Sequence, residues 1–210
     1  FSALMVSRVC HDLVGPVGAV SNGLELLGQD DAAPDPEVLG LIVTSIRSAA
    51  QRLQAFRVAF GSANAIPRTG CIAAVRELAL GLVEEGKATL DWPTPSPDVE
   101  AASDKTVAKL ILNVVMIALE SMLRGGAVRV EMAMADRQIS AVIQGSGGQG
   151  KIADEVRAGL EGLFDYENST PKAAPAYLVA LLARELGGAV MIGRDPNVDF
   201  QIRVRLPARA

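Results

Sequence analysis

The chain has 210 residues, 50% of them hydrophobic, with 20 basic and 24 acidic side chains and a formal charge of −4. That balance fits one large or two small globular domains with a true core. It excludes a nucleic-acid binder, since no basic stripe with interleaved aromatics occurs. Cys10 and Cys71 lie too far apart for a metal-ligand spacing, which speaks against a zinc site or a disulfide framework. The longest apolar run, Leu110 to Leu119, is interrupted by Asn113, and no segment is expected to reach bilayer-spanning length. The first residues carry Arg8, His11 and Asp12 where a leader needs an apolar block. A cytoplasmic protein with no membrane partner is expected.

Residues 1–64 read as two helices joined across Asp30-Asp31-Ala32-Ala33-Pro34-Asp35-Pro36. Leu13, Val17, Val20, Leu24 and Leu27 recur at steps of four and three, as do Leu39, Ile42, Ile46, Ala49, Leu53, Phe56 and Phe60. Such a repeat is a bundle seam. One antiparallel helix pair has too little core to stand alone, whereas two pairs close into a four-helix bundle. A homodimer is therefore expected, the alternative being that both stripes pack on the rest of the same chain.

The single histidine, His11, sits on the first of these helices. It precedes Leu13 by two residues, which at about 100° per residue places it nearly opposite the seam. Its own face carries Ser7, Gly15, Gly18, Asn22 and Glu25, all polar or small. Gly15 and Gly18 each cost roughly 1 kcal/mol relative to Ala in a helix interior. Pro16 cannot donate to the Asp12 carbonyl and crowds it, so a bend is expected just after the histidine. Giving up helix stability around the one imidazole favours a functional histidine approached closely by another protein.

Residues 65–210 read differently. A helix is expected over 72–85 and a short strand over 88–91, followed by the proline-rich loop from Trp92 to Pro97. Ser103 or Asp104 caps a long helix running to about Leu123, stopped by Gly125-Gly126. Residues 127–134 and 138–144 form a hairpin across Asp136-Arg137. Helices over 151–163 and 174–186 follow, the second stopped by Gly187-Gly188. A last hairpin pairs 189–192 with 200–206, where Phe200, Ile202, Val204 and Leu206 alternate with Gln201, Arg203 and Arg205. The fold class is α+β: a mixed sheet with helices over one face.

A helical hairpin bearing His11-Asp12, three further residues and Pro16, then an α/β sandwich, resembles a histidine kinase core. That resemblance implies a dimerisation and phosphotransfer hairpin followed by a GHKL-type ATPase-like domain. The nucleotide motifs of such kinases are degraded here. The long helix has Asn113 but Ile117 at the second expected asparagine. The glycine-rich run Gly145 to Gly150 lacks its aspartate and reads as a flexible connection, and Lys172-Ala173-Ala174-Pro175-Ala176 lacks phosphate-loop glycines. ATP is not expected to bind.

The run from His11 to Glu25 is similar to the signature stretch of the ChpT-type histidine phosphotransferases of bacterial phosphorelays. That family implies a homodimer accepting phosphate from the receiver domain of a hybrid kinase. It then passes the phosphate to response-regulator receivers, including cell-cycle regulators. His11 would be the phospho-acceptor through Nε2. Asp12 either orients it or merely faces solvent, and Arg8, Gly15, Gly18 and Asn22 are the candidate receiver contacts. No cofactor is held stably, and Mg²⁺ comes with the receiver. An exposed neutral imidazole has a ring nitrogen free to attack phosphorus, and phosphoryl transfer needs positioning more than covalent help. The competing readings are an atypical histidine kinase and a dimeric pseudokinase scaffold that binds receivers without transfer.

Overall fold

The starts of two long helices are set by side-chain acceptors. Asp35 accepts from the Glu37 amide at 2.9 Å, with Pro36 in the first turn of α2 (Pro36–Ala59). Asp104 Oδ1 accepts from the amides of Thr106 and Val107 at 2.8 and 2.9 Å, opening α5 (Lys105–Glu120). The computed structural model describes residues 1–28, 35–83, 88–122, 124–163, 165 and 169–208. The remaining elements are α1 (Ser2–Leu27), α3 (Cys71–Leu80), β1 (Ala88–Asp91), α4 (Pro97–Ala102), β2 (Gly126–Ala135), β3 (Gln138–Ser146), α6 (Asp154–Leu160), α7 (Ala174–Glu185), β4 (Ala189–Gly193) and β5 (Phe200–Pro207). A 3₁₀ turn covers residues 63–65. Residues 30–34 of the connection between α1 and α2, and Leu123, lie outside the described residues.

The strands form one sheet in the order β1-β2-β3-β5-β4, with β1 parallel to β2 and every other pairing antiparallel. The β2–β3 turn has both Asp136 and Arg137 at positive φ, 51° and 60°. That is the backbone of a two-residue hairpin whose twist matches its strands. Val128, Val130, Ile139, Ile143, Ile202, Val204 and Leu206 point into the core under α5, whose residues from Leu110 to Ala118 are all buried. Each such Leu or Ile contributes about 1.5–3 kcal/mol by leaving water. Arg129, Glu131, Arg203 and Arg205 are exposed, as alternation along the strands requires.

Several boundaries differ from the sequence expectation. α4 was hidden by three prolines, yet Pro97 occupies its first turn and Ser96 accepts from Val99 N at 3.4 Å, so the proline opens a helix. α3 stops at Leu80, residues 84–85 of the expected helix lying outside the described residues, and α6 spans seven residues instead of 151–163. Gln201, expected on the solvated face, is buried and accepts from Arg203 Nε. α1 is continuous through Pro16. It is also, among the described residues, the one helix long and apolar enough to cross a bilayer by length and composition, which corrects the expectation that no segment reaches that length.

The hairpin is fastened to the sandwich at its open end. Asn113 Nδ2 donates to the Ala59 carbonyl at 3.0 Å and Lys109 Nζ donates to the Gly61 carbonyl at 2.8 Å. These carbonyls lie at or just past the C-terminus of α2, where no intrahelical donor reaches them and a cation meets the negative end of the helix dipole. Cys10 is exposed and Cys71 buried, both as free thiols; burial pushes the Cys71 thiol up.

Candidate functional site

His11 stands on α1 with 83% of its side chain exposed. Ser7, Gly15, Asn22 and Glu25 on the same face are exposed and Gly18 is half-buried. A Cβ built at Gly15 or Gly18 meets nothing within 4 Å. At Gly23, by contrast, it would strike Ile42 of α2 at 2.6 Å. The glycine between the helices is thus required by packing inside the chain, while Gly18 is not.

Behind the imidazole lies a charge chain. Asp12 keeps only 10% of its side chain exposed and presents Oδ1 to His11 Nδ1 at 3.1 Å. Its Oδ2 accepts from Arg8 Nε at 2.8 Å. Asp12 is thus largely buried, with one oxygen toward His11 and the other on Arg8. Arg8, assigned from sequence to a receiver-facing surface, is buried and committed to partners within the chain. Its Nη2 donates to Glu120 Oε1 at the end of α5, 112 residues away. Glu120 keeps 36% of its side chain exposed, yet burial raises its carboxyl above the ordinary range; Arg8 and Arg52 act against that rise, and Asp12 adds to it.

Sequence reading missed Glu120. A usable signal existed: an acid closing a helix faces the negative end of the helix dipole, so its presence there calls for a cation. Asp12, Arg52 and Glu120 rim a cleft of about 320 Å³ between hairpin and sandwich, floored by Phe56, Met116 and Met122.

The glycine-rich run has a different character from the one expected. Gly148 and Gly150 amides both donate to Asp199 Oδ2, at 3.2 and 3.0 Å. A Cβ at Gly145 would meet Phe200 at 2.3 Å, and one at Gly150 would meet Met122 at 2.3 Å. The run is packed and its amides hold a carboxylate of this chain, so it is no flexible connection. Asn113 is buried; its Nδ2 donates to the Ala59 carbonyl of α2 and to the Lys109 carbonyl, while its Oδ1 has no partner among the described residues. No group of three or more His, Cys, Asp or Glu among the described residues could hold a metal ion.

Comparison with known proteins agrees with the motif resemblance. Residues 72–198 match the family model of the histidine phosphotransferase C-terminal domain. Over 190 residues the chain is 30% identical to the protein phosphotransferase ChpT of Brucella abortus (strain 2308), covering 90% of this chain and 88% of the relative. The structure is similar to that of a bacterial phosphotransferase, with a TM-score of 0.79, 28% identity, and 97% of this chain and 94% of the other covered. The Acinetobacter baumannii histidine kinase AdeS shares the fold alone, at a TM-score of 0.50 and 13% identity over 95% of this chain and 98% of its own. On sequence and structure together, the chain belongs to the histidine phosphotransferase family.

Proposed function

We propose that His11 accepts a phosphoryl group from the receiver domain of a hybrid kinase and returns it to the receivers of response regulators. One observation carries this reading: the chain's single imidazole is exposed while its Nδ1 faces a carboxylate held from behind. With Nδ1–H donating to Asp12, the lone pair is on Nε2. Nε2 attacks the phosphorus of an aspartyl phosphate, the P–O bond to the aspartate breaks, and that carboxylate departs as the anion. The ring then carries a positive charge that Asp12 faces. A second receiver's aspartate attacks the same phosphorus and the N–P bond breaks, restoring neutral His11. Mg²⁺ arrives with each receiver. Gly15, Gly18 and Asn22 form the surface that the receiver approaches.

The same reading gives the chain no need of nucleotide. The glycine amides that would meet a phosphate already hold Asp199. It also makes the working form a homodimer. Ten of the thirteen exposed large hydrophobics among the described residues lie on α1 and α2. Val17 and Leu24, and Leu39, Ile46 and Leu53, recur at heptad spacing, the repeat of a helix–helix seam. An exposed apolar stripe of that length marks an interaction surface.

The experiment is transfer from a radiolabelled phospho-receiver to the wild type and to His11→Ala, with ATP alone as control. Acid-labile label on the wild type only, and none from ATP, is the expected result. Label on His11→Ala would move the acceptor elsewhere, and label from ATP would make the chain a kinase.

A further inference from the structure

The geometry points to Glu120, on the sandwich, as a positioning residue for the phosphate acceptor: through Arg8 and Asp12 it reserves one carboxylate oxygen for His11 Nδ1–H and so keeps Nε2 free. This rests on the reading of His11 as the acceptor, but its first readout does not. Arg8 touches Asp12 only through Nε, at Oδ2, while its Nη2 is taken by Glu120. Nε and Nη2 form the side edge of the guanidinium, the edge that clamps both oxygens of a carboxylate when nothing else competes. With Nη2 released, that fork closes on Asp12 and covers Oδ1, the oxygen facing His11 Nδ1 at 3.1 Å. Neutral imidazole without this acceptor favours the Nε2–H form, which has no lone pair where the phosphate must go. Arg52 lines the same cleft, and its charge also acts on the Glu120 carboxylate.

Because the chain has one histidine, ¹⁵N-histidine labelling of the full chain gives an unambiguous tautomer readout. Spectra are taken at a pH where the ring is neutral, alongside transfer rates from a phospho-receiver. The wild type is expected to show Nδ1–H. Glu120→Ala and Arg8→Lys are expected to shift the population to Nε2–H and slow transfer at least tenfold. Glu120→Gln, which still accepts from Nη2, is expected to retain both the wild-type tautomer and rate. An unchanged tautomer in Glu120→Ala overturns the proposal, even if that variant melts earlier. So does loss of the tautomer in Glu120→Gln equal to that in Glu120→Ala. A shifted tautomer in Glu120→Ala with no label ever reaching wild-type His11 supports the tether and sinks the acceptor reading instead.

Discussion

Gly18 of the hairpin and Gly145, Gly148 and Gly150 of the sandwich look alike in sequence and do opposite things. In the sandwich, Gly145, Gly148 and Gly150 lie against Phe200, Met122 and the Gly125 carbonyl, so the absent side chains are filled by the protein itself. On the hairpin face, Gly18 opens onto nothing within 4 Å. Gly15 is intermediate: it too faces open space, but it precedes Pro16, and a missing Cβ relieves the clash that a proline imposes on a helical neighbour. Small residues that satisfy their own fold speak of structure. Those that do not speak of something that arrives.

Four variants test the hairpin against the sandwich. The largest effect is expected at the hairpin's apolar stripe. Ile46→Asp with Leu53→Asp removes two exposed side chains from each half of the proposed seam, a loss of about 6 kcal/mol or more of association. Sedimentation should show a folded monomer; a dimer of unchanged stability would place the seam elsewhere. Next is Gly148→Ala, whose Cβ would lie 1.8 Å from the Gly125 carbonyl oxygen. A backbone collision of that kind costs about 3 kcal/mol, the upper range for overpacking, read as a lowered urea midpoint, with transfer per folded molecule retained. The smallest is Gly18→Ala. It should stabilise α1 by roughly 1 kcal/mol while slowing transfer from a receiver, and Gly15→Ala should gain less because of Pro16. Faster or unchanged transfer in Gly18→Ala would remove that residue from the receiver surface.

Most of the architecture was legible because local rules agree with the final packing. The alternation of Phe200, Ile202, Val204 and Leu206 survives as a buried strand face, and of the two caps expected for the long helix, Ser103 or Asp104, it is Asp104 that caps it. α4 was not legible, since prolines were read as loop when one of them opens a helix. At the site, His11-Asp12 was visible as a motif. The Arg8–Asp12 pair was also within reach, four residues apart on one helix, but Arg8 was assigned to the receiver surface because nothing local shows what lies over it. The partners of Glu120 and Asp199 were invisible for the same reason. Those partners are brought to them by tertiary folding, across 112 residues for Arg8 and about fifty for the glycine amides.

The anchor between Arg8 and Glu120 also has a mechanical side. At about 1.5 Å per residue, His11 sits roughly 4.5 Å along the helix axis from Arg8, and the Leu27 end roughly 28 Å away. If the hairpin rocks about that fulcrum, its tip sweeps some six times further than the imidazole. The long arm can yield as a partner lands, while the imidazole, close to the pivot, hardly moves.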